Sequence, residues 1–355
     1  MSEKKKLLVL QMDGGIGKHI AATALLPKLK QNYEKIVVVS TYPDIFNNNP
    51  YVYRSLTDMT PFAYEDYYKV ALAEGDVFYI DNYRDYRFRK KNIHMIEGFC
   101  NSCGIPYDSS MKPELYFSET DNETINDLVN KVGDFIIVQF HGGKSPYNVG
   151  NPNAQPSNNM VKDYDVHLAE NFVALFKEEY PKVQVLNFGL PDEIKIKGTV
   201  EATLPYKIWF GLLQKAETFV VIDSSLQHAS ACTNKKGIVM WGATSPKMFG
   251  YDHNLNIVNE CDKDDMHCTR PYFVPSSDFI ANNVLWSCNS KKCMKFDPIQ
   301  LMTRLQEENL LKSPSSYKKV PSIDLSTVTS QVTALYPALP QQNAQQAPCD
   351  VPCKK

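Results

Sequence analysis

The order of apolar runs and glycine turns is the feature that most limits what this chain can fold into. The apolar run Lys6–Gln11 leads into the turn Asp13–Gly17, a helical pattern over His19–Gln31 and a second apolar run, Ile36–Ser40. Strand, glycine turn, helix and strand in this order open a doubly wound parallel sheet. Pro27 lies inside the helical pattern and predicts a kink or an early end there.

The same pattern begins again after Gly133, so the sequence predicts an α/β fold of two facing Rossmann-like domains. The later predicted strands are Phe135–Phe140, Val183–Phe188, Thr218–Ile222 and Gly237–Trp241. We expect an N-terminal domain over residues 1–125, a C-terminal domain over 126–312 and a disordered tail over 313–355, which is rich in Ser, Pro, Gln and Ala.

Composition excludes some functions. The net charge of −2 and the pI near 6.4 argue against a chain built as a whole to coat nucleic acid or an anionic membrane. An apolar run of about 18 residues, as a membrane span requires, is missing, and Leu7–Leu10 is too short for a signal-peptide core. We therefore expect an intracellular protein without an integral membrane segment, whose nine cysteines are mostly thiols or metal ligands.

Two like α/β domains place a ligand in the cleft between them, outside the carboxyl ends of the strands. The first candidate there is the turn before the first helix, where Gly14, Gly15 and Gly17 let a ligand approach the backbone. Its spacing is neither that of a phosphate-binding Walker loop nor that of the dinucleotide fingerprint. The turn is either a tight structural connection or a ligand-facing loop in which Asp13, Lys18 or His19 has a chemical role.

The second candidate is the segment Asp223–Ala231, where an acidic residue ends a strand and hydroxyls open a helix of small residues. Such a helix start can hold a diphosphate. The alternative is simple capping by Asp223 or Ser224, with His228 a core histidine. After the next strand, the segment Trp241–Pro246 brings Thr244 to the same side.

These last two segments resemble the signature of glycosyltransferase family 9, the heptosyltransferase-like enzymes. In that family an Asp-[Ser/Thr]-Gly-x-x-His-x-Ala-Ala segment precedes a Gly-x-Thr-x-Pro turn. The early turn Gly15-Ile16-Gly17 also matches the start of the family. The resemblance implies a GT-B fold and inverting, metal-independent sugar transfer. The acceptor would lie on the N-terminal domain and the nucleotide-sugar donor on the C-terminal one.

The resemblance also implies site residues. Donor-binding positions are Asp223, Ser224, Ser225, Leu226, His228 and Thr244, with Glu193 near the nucleoside and either Lys144 or Lys162 at the diphosphate. The acceptor-binding positions that we expect are Gly14 and Gly15 in the early turn, and Arg84 and Arg87 from the basic stretch described below. Nucleotide sugar is a co-substrate, so no cofactor is expected.

Two departures from the family pattern bear on the mechanism. Lys18 stands where the family has an aspartate taken as the general base, and Ser225 replaces a glycine. Lysine is a poor base near neutral pH unless its pKa is strongly lowered. We predict that Asp13 substitutes for the missing carboxylate and matters more than His19. The ammonium of Lys18 has three candidate partners: Asp13, the donor diphosphate and a phosphate on the acceptor.

Three further patterns keep alternatives open. The aromatic and basic stretch Tyr83–Lys91 is either a solvated helix face or a surface for a phosphate-bearing acceptor, such as a lipid A core or DNA. The pair in Asp163-Tyr164-Asp165 has the spacing of a metal-binding motif, but its apolar neighbours predict a helix start. The late cysteines form a structural zinc site, a disulfide or free thiols; they are Cys261, Cys268, Cys288 and Cys293.

The sequence thus predicts a glycosyltransferase with a cell-envelope glycan or glycolipid acceptor of the lipopolysaccharide type. Alternatives are sugar transfer to a modified base in DNA, and a non-catalytic relative that only binds nucleotide sugar. We expect a cytoplasmic location, with peripheral attachment to the inner membrane left open.

Overall fold

Two parallel β-sheets organise the chain, one in each half. The computed structural model describes residues 4–57, 60–90, 93–142, 162–189, 194–233, 235–242, 244–259 and 292–318. All strand pairings in both sheets are parallel, as the repeated order of strand and helix predicts.

The N-terminal sheet has the order β3-β2-β1-β4. Its strands are β1 (Lys5–Met12), β2 (Tyr33–Ser40), β3 (Arg54–Leu56) and β4 (Gly75–Tyr79). Strand β1 is central, and Leu8, Val9 and Leu10 within it are fully buried. A strand covered on both faces favours an uninterrupted apolar run, which is why the sequence showed β1 so clearly.

The helix after β1 confirms the expected break at Pro27. Helix α1 (Ile16–Ala22) changes into a 3-10 turn at Thr23–Leu25, and α2 (Leu26–Asn32) then begins with Pro27 in its first turn. Proline has no backbone N–H, so one regular α-helix cannot continue through this position. Helix α1 starts earlier than the predicted His19, because Gly15 is its N-cap and the rest of the glycine turn is already helical.

Several elements of the N-terminal half were not predicted. They are α3 (Pro61–Ala63), a π-helical turn (Tyr64–Tyr68), α4 (Lys69–Glu74), a 3-10 turn (Asn82–Arg84) and α6 (Met95–Ser102). Helix α5 (Tyr86–Arg89) lies in the stretch for which a helix face was one of the two interpretations. The helical segment from Pro61 to Glu74 covers one face of the sheet through Ala71 and leaves Leu72 exposed. Its apolar side chains therefore do not form the single stripe that identifies an amphipathic helix.

The C-terminal sheet has the order β10-β9-β8-β5-β6-β7. Its strands are β5 (Phe135–Gln139), β6 (Gln184–Asn187), β7 (Val200–Glu201), β8 (Phe219–Ile222), β9 (Ile238–Trp241) and β10 (Leu255–Val258). The chain leaves β5 on one side and returns at β8 on the other. The topological switch point, where ligands bind in such sheets, therefore lies between β5 and β8.

Helices cover both faces of this sheet. They are α7 (Glu119–Val132), α8 (Val166–Glu179), α9 (Tyr206–Lys215), α10 (Ser225–Ser230), α11 (Pro246–Phe249) and α12 (Pro298–Glu307). The predicted domain boundary at residue 125 falls inside α7, where Ile125 packs on Gly211 of α9. At the C-terminal end of the described chain, Tyr317 is buried in an apolar cluster formed by residues of the C-terminal half. Residues 319–355 lie outside the described part.

The two halves meet where α1 lies against α10. A Cβ atom placed on Gly17 would lie only 2.4 Å from Cδ2 of His228, so the backbone of α1 touches the imidazole directly. Farther along the interface, the Tyr206 hydroxyl donates to Asp44 at 3.2 Å. One continuous apolar core runs across both halves. The contact fixes the turn before α1 relative to the turn before α10.

We expect Gly17→Ala to destabilise the protein. Alanine is about 1 kcal/mol better than glycine inside a helix, but the added methyl would overlap a buried ring, and overpacking typically costs about 1–3 kcal/mol. Urea unfolding measures the difference. Gly15→Ala is the control, because nothing lies within 4 Å of its Cβ position. Equal stability of the two variants would contradict the close contact.

Candidate active site

The turn after β1 presents a carboxylate at the carboxyl end of the N-terminal sheet. Gly14 has φ of +97°, which a residue with a side chain rarely adopts, and a Cβ there would approach the Lys18 stem at 3.1 Å. The Asp13 side chain is 64% exposed. The glycine therefore serves the geometry of the turn, and Asp13 is exposed to solvent.

Two donors hold the carboxylate of Asp13. The Tyr79 hydroxyl, at the end of β4, donates to Oδ2 at 2.5 Å, and Nζ of Lys18 lies 3.4 Å from Oδ1. Partial burial would raise the pKa of Asp13, but the hydrogen bond from Tyr79 and the charge of Lys18 outweigh it and lower the pKa. Asp13 is therefore an exposed, oriented and ionised carboxylate at neutral pH.

Lys18 does have an anionic partner within the chain. Its side chain is only 9% exposed, and Nζ lies 3.4 Å from Oδ1 of Asp13 and 3.4 Å from Oδ1 of Asp81. The ring centroid of Tyr83 is 6.0 Å away. Of the three partners considered from the sequence, the structure places Asp13 beside the ammonium and adds Asp81, which sequence reasoning missed. Asp81 follows β4 in the same way that Asp13 follows β1, so inspecting the end of every strand would have found it.

His19 points away from the cleft. It is fully buried, its ring packs edge-on against Tyr42 at 5.1 Å, and Nδ1 lies 3.0 Å from the carbonyl oxygen of Gly15. Burial lowers its pKa to about 4. The imidazole is therefore neutral near pH 7 and out of reach of a bound substrate in this conformation.

At the switch point of the C-terminal sheet, Asp223 lies directly after β8. Its Oδ2 is 2.7 Å from Nζ of Lys162 and accepts a hydrogen bond from the Thr244 hydroxyl at 2.7 Å. Burial would raise the pKa of Asp223, but the charge of Lys162 and the bond from Thr244 hold it below its usual range. Of the two lysines left open by the sequence, Lys162 lies at this site, and Lys144 lies outside the described residues.

Side-chain capping of α10, which was the alternative interpretation of this segment, is not what the structure shows. Asp223 uses its carboxylate on Lys162 and Thr244, and the Ser224 side chain makes no capping bond. The Ser224 hydroxyl oxygen is buried and has no hydrogen-bond partner among the described residues. Ser225 is half-buried, whereas Leu226 is fully buried in the core. A ligand here would meet a hydroxyl, an ammonium and backbone.

His228 lies in the contact between the two halves. Its ring touches the backbone at Gly17, and Nδ1 is 3.0 Å from the Tyr251 hydroxyl. Burial lowers its pKa to about 3, so the ring stays neutral. It is thus neither exposed to the cleft nor buried within one domain; in this conformation it is an interface residue.

The aspartates with metal-motif spacing behave as the helix-start hypothesis predicts. The Asp165 carboxylate caps α8 by accepting from the N–H groups of His167 and Leu168, and Asp163 accepts from Gly142 N–H at 2.8 Å. Close by, at the end of β5, Gln139 is buried and its Oε1 has no partner among the described residues. Sequence reasoning missed Gln139.

The stretch around Arg84 fits the interpretation as a solvated helix face, and its role as an acceptor surface stays a prediction. Phe88 is buried while Arg84 and Arg87 are exposed, as on a solvated helix face. The Arg84 guanidinium lies 4.5 Å from the ring centroid of Tyr79, next to Asp13. Arg87 pairs with Glu97 at 3.4 Å, farther from the turn. Only the first of the two arginines is therefore shown beside the carboxylate cluster.

Other predicted positions fall outside the described residues: Glu193, Cys261, Cys268 and Cys288. Cys293 is described and buried. Within the described ranges, no group of three or more His, Cys, Asp or Glu side chains could hold a metal ion. None of the helices described in the structure has the length and apolar character needed to cross a membrane.

No protein-family model matches the sequence, and no curated protein matches it. Solved structures do match the fold. The glycosyl transferase family 9 from Veillonella parvula DSM 2008 is 14% identical with a TM-score of 0.58, over 87% of this chain and 98% of that one. Heptosyltransferase II, an ADP-heptose LPS enzyme from E. coli, is 13% identical with a TM-score of 0.52, over 85% and 98%.

A third match is the dodecameric iron-containing heptosyltransferase TibC in complex with ADP-D-β-D-heptose. It is 12% identical with a TM-score of 0.57, over 87% of this chain and 78% of that one. Identities this low establish the fold alone. The chain therefore has the two-domain α/β architecture of glycosyltransferases. In particular, it has the heptosyltransferase-like fold of family 9, and the fold predicted from the sequence is confirmed.

We expect Lys162→Met to destabilise the protein by about 3–5 kcal/mol near pH 7, because it leaves the buried carboxylate of Asp223 unpaired. The sign of the pH dependence should also change. In the wild type the lowered pKa of Asp223 contributes stability above its unfolded pKa, and this is lost as pH falls through the folded value. Without Lys162, burial raises that pKa, so acidification from neutral should stabilise the variant relative to the wild type.

Urea unfolding between pH 4 and 8 tests both expectations. Lys131→Met is the matched control, because Lys131 forms an exposed helical pair with Asp127 at 2.6 Å. Such a pair contributes less than about 1 kcal/mol. A Lys162→Met variant that behaves like this control would show that the buried pair does not hold Asp223 ionised.

Proposed function

We propose that this protein is a glycosyltransferase that moves a sugar from a nucleotide-sugar donor to an acceptor hydroxyl. The observation that carries the proposal is the contact of Gly17 with His228. In this contact α1, which follows the turn with Asp13, packs on α10, which follows the turn with Asp223. The side chains at the carboxyl ends of both sheets therefore lie beside one interface. The three solved proteins named above are glycosyltransferases, and one of them is bound to ADP-D-β-D-heptose.

The C-terminal half supplies the groups that a departing nucleoside diphosphate requires. In the proposed complex, Lys162 offers positive charge and Ser224 a hydroxyl that has no other described partner. Positive charge and hydrogen-bond donors aimed at a developing anion lower the barrier to its departure. These groups support a reaction that uses no metal ion.

The N-terminal half supplies a base. The Asp13 carboxylate is exposed, and the hydrogen bond from Tyr79 restricts its orientation. It would remove the proton of the acceptor hydroxyl while that oxygen attacks the anomeric carbon from the side opposite the diphosphate, which inverts the configuration. An ammonium carries no lone pair to accept a proton, so Lys18 supports this carboxylate and does not replace it.

The acceptor would bind beside Asp13, on the side of Arg84. An exposed guanidinium next to the base favours an acceptor with phosphate or carboxylate groups. A cell-envelope glycan of the lipopolysaccharide type has that chemistry and is the acceptor that we propose.

Donor binding can be tested by thermal shift with ADP-, GDP-, UDP- and CMP-sugars, ADP-heptose among them. A donor at about 100 times its dissociation constant should add roughly 2.7 kcal/mol. Ser224→Ala should weaken binding about tenfold or more, because a hydrogen bond to a charged group contributes about 1.5–3 kcal/mol.

The control for Ser224→Ala is Ser102→Ala. The Ser102 hydroxyl donates to the carbonyl oxygen of Gly98 within α6, away from the proposed donor site. If none of the four donor classes stabilised the protein, the proposed donor site would be wrong.

Asp13→Asn should lower kcat by about 10²- to 10⁴-fold, the usual contribution of a general base, and leave donor affinity unchanged. Release of nucleoside diphosphate with deacylated lipopolysaccharide as acceptor measures turnover. Asp127→Asn, on the exposed face of α7, is the control. Unchanged turnover of Asp13→Asn would exclude Asp13 as the base.

The wild-type protein also tests the alternative functions. Donor binding without turnover, on glycan or on DNA with hydroxymethylated bases, would indicate a non-catalytic binding protein.

A further inference from the structure

Asp81 has no role in the proposed proton transfer, yet three partners hold its carboxylate in place. Its Oδ1 accepts from the backbone N–H of Tyr83 at 3.1 Å and lies 3.4 Å from Nζ of Lys18. Its Oδ2 lies 3.7 Å from Nε of Arg84, and its side chain is 19% exposed. The Asp81 carboxylate is therefore held in place and mostly buried, whereas Asp13 is exposed.

The ammonium of Lys18 is shared evenly. Its distances to the carboxylates of Asp13 and Asp81 are both 3.4 Å. The stem of Lys18 passes close to Gly14, where the absence of a Cβ leaves room for it. Since the lysine side chain is 9% exposed, solvent screens these interactions less than those of a surface pair. The one ammonium of Lys18 thus faces two carboxylates, and the exposed Arg84 adds a longer contact to Asp81.

This sharing affects the strength of a base. When a carboxylate is the sole partner of a cation, protonation of the carboxylate loses the whole ion pair. The pKa of such a carboxylate is therefore lowered strongly. A cation divided between two carboxylates stabilises each ionised form less, and the second carboxylate repels the first. Efficient general bases have a pKa near the operating pH, so a weaker hold on Asp13 favours proton transfer.

We propose that Asp81 is a positioning residue that sets the basicity of Asp13 by sharing the ammonium of Lys18. The proposal rests on the proposed role of Asp13 as the base. Among the residues that the structure describes, the other groups that face this cluster are the Tyr79 hydroxyl, the Tyr83 ring, the buried His19 and the exposed Arg84. His19 is neutral near pH 7, because burial lowers its pKa to about 4.

The two substitutions that test this proposal should move the titration of Asp13 in opposite directions. Asp81→Asn removes the competing carboxylate but keeps an oxygen that can accept from Tyr83 N–H. The titration midpoint of Asp13 should then fall, because Lys18 and Arg84 are released toward it. Lys18→Met keeps an apolar stem but removes the charge, so the midpoint should rise.

Carboxyl ¹³C NMR of the full chain, labelled at the aspartate side chains, measures these midpoints without any substrate. The Asp13 signal is assigned by its loss in Asp13→Asn. Asp85→Asn is the matched control: it removes a charge from the same segment, and asparagine can still cap α5 as Asp85 does. An unchanged or raised midpoint in Asp81→Asn would overturn the proposal.

The pH dependence of kcat/KM separates this proposal from the one that it rests on. A general base works only when deprotonated, so activity falls on the acid side, and this acid limb should follow the NMR midpoint in each variant. Midpoints that move as expected while the acid limb stays in place would confirm the sharing of Lys18 and overturn the role of Asp13 as the base. If the titration midpoints of Asp13 do not move in the variants, the sharing of the Lys18 ammonium is wrong, whether or not Asp13 is the base.

Discussion

The contact between the backbone of α1 and the ring of His228 is the constraint on which the site depends. Only a glycine at position 17 lets the helix approach so closely, since a methyl group there would lie 2.4 Å from the ring. The N-terminal ends of α1 and α10 carry the turns with Asp13 and Asp223. Two sheets formed by separate halves of the chain are in this way joined at the edges where parallel strands place functional side chains.

The two turns use carboxylates in opposite ways, and exposure explains the difference. Asp223 is buried and committed to Lys162 and Thr244, so it holds these two side chains together at the end of β8. Asp13 is exposed and held from behind by Tyr79 and Lys18. A buried charge must be paired to be tolerated, whereas a base must remain accessible. The same residue type at the end of two strands therefore serves structure in one half and, in the proposed mechanism, chemistry in the other.

Patterns of short range predicted the elements that depend on local chemistry. The central strands β1 and β8 were recognised from their apolar runs, and the helix break from Pro27, which has no N–H. The start of α8 was recognised from the apolar neighbours of the two aspartates before it. The helical segment Pro61–Glu74 was missed, because its exposed aromatic and apolar side chains obscure the period on which a helix prediction relies. The short edge strand β3 has too few residues to show a pattern. The partners of individual side chains were predicted least well.

What the sequence by itself determined is the order of strands, glycine turns and helices, and with it two parallel α/β sheets with acidic residues at their strand ends. Only the tertiary structure decided which residues meet. Lys162 pairs with Asp223 across 61 residues of chain, and Lys18 with Asp81 across 63. It also decided that His19 is buried and that His228 packs on Gly17. Periodicity is a property of neighbouring residues, whereas the pairing of charges depends on helices and strands that come together only when both sheets have formed.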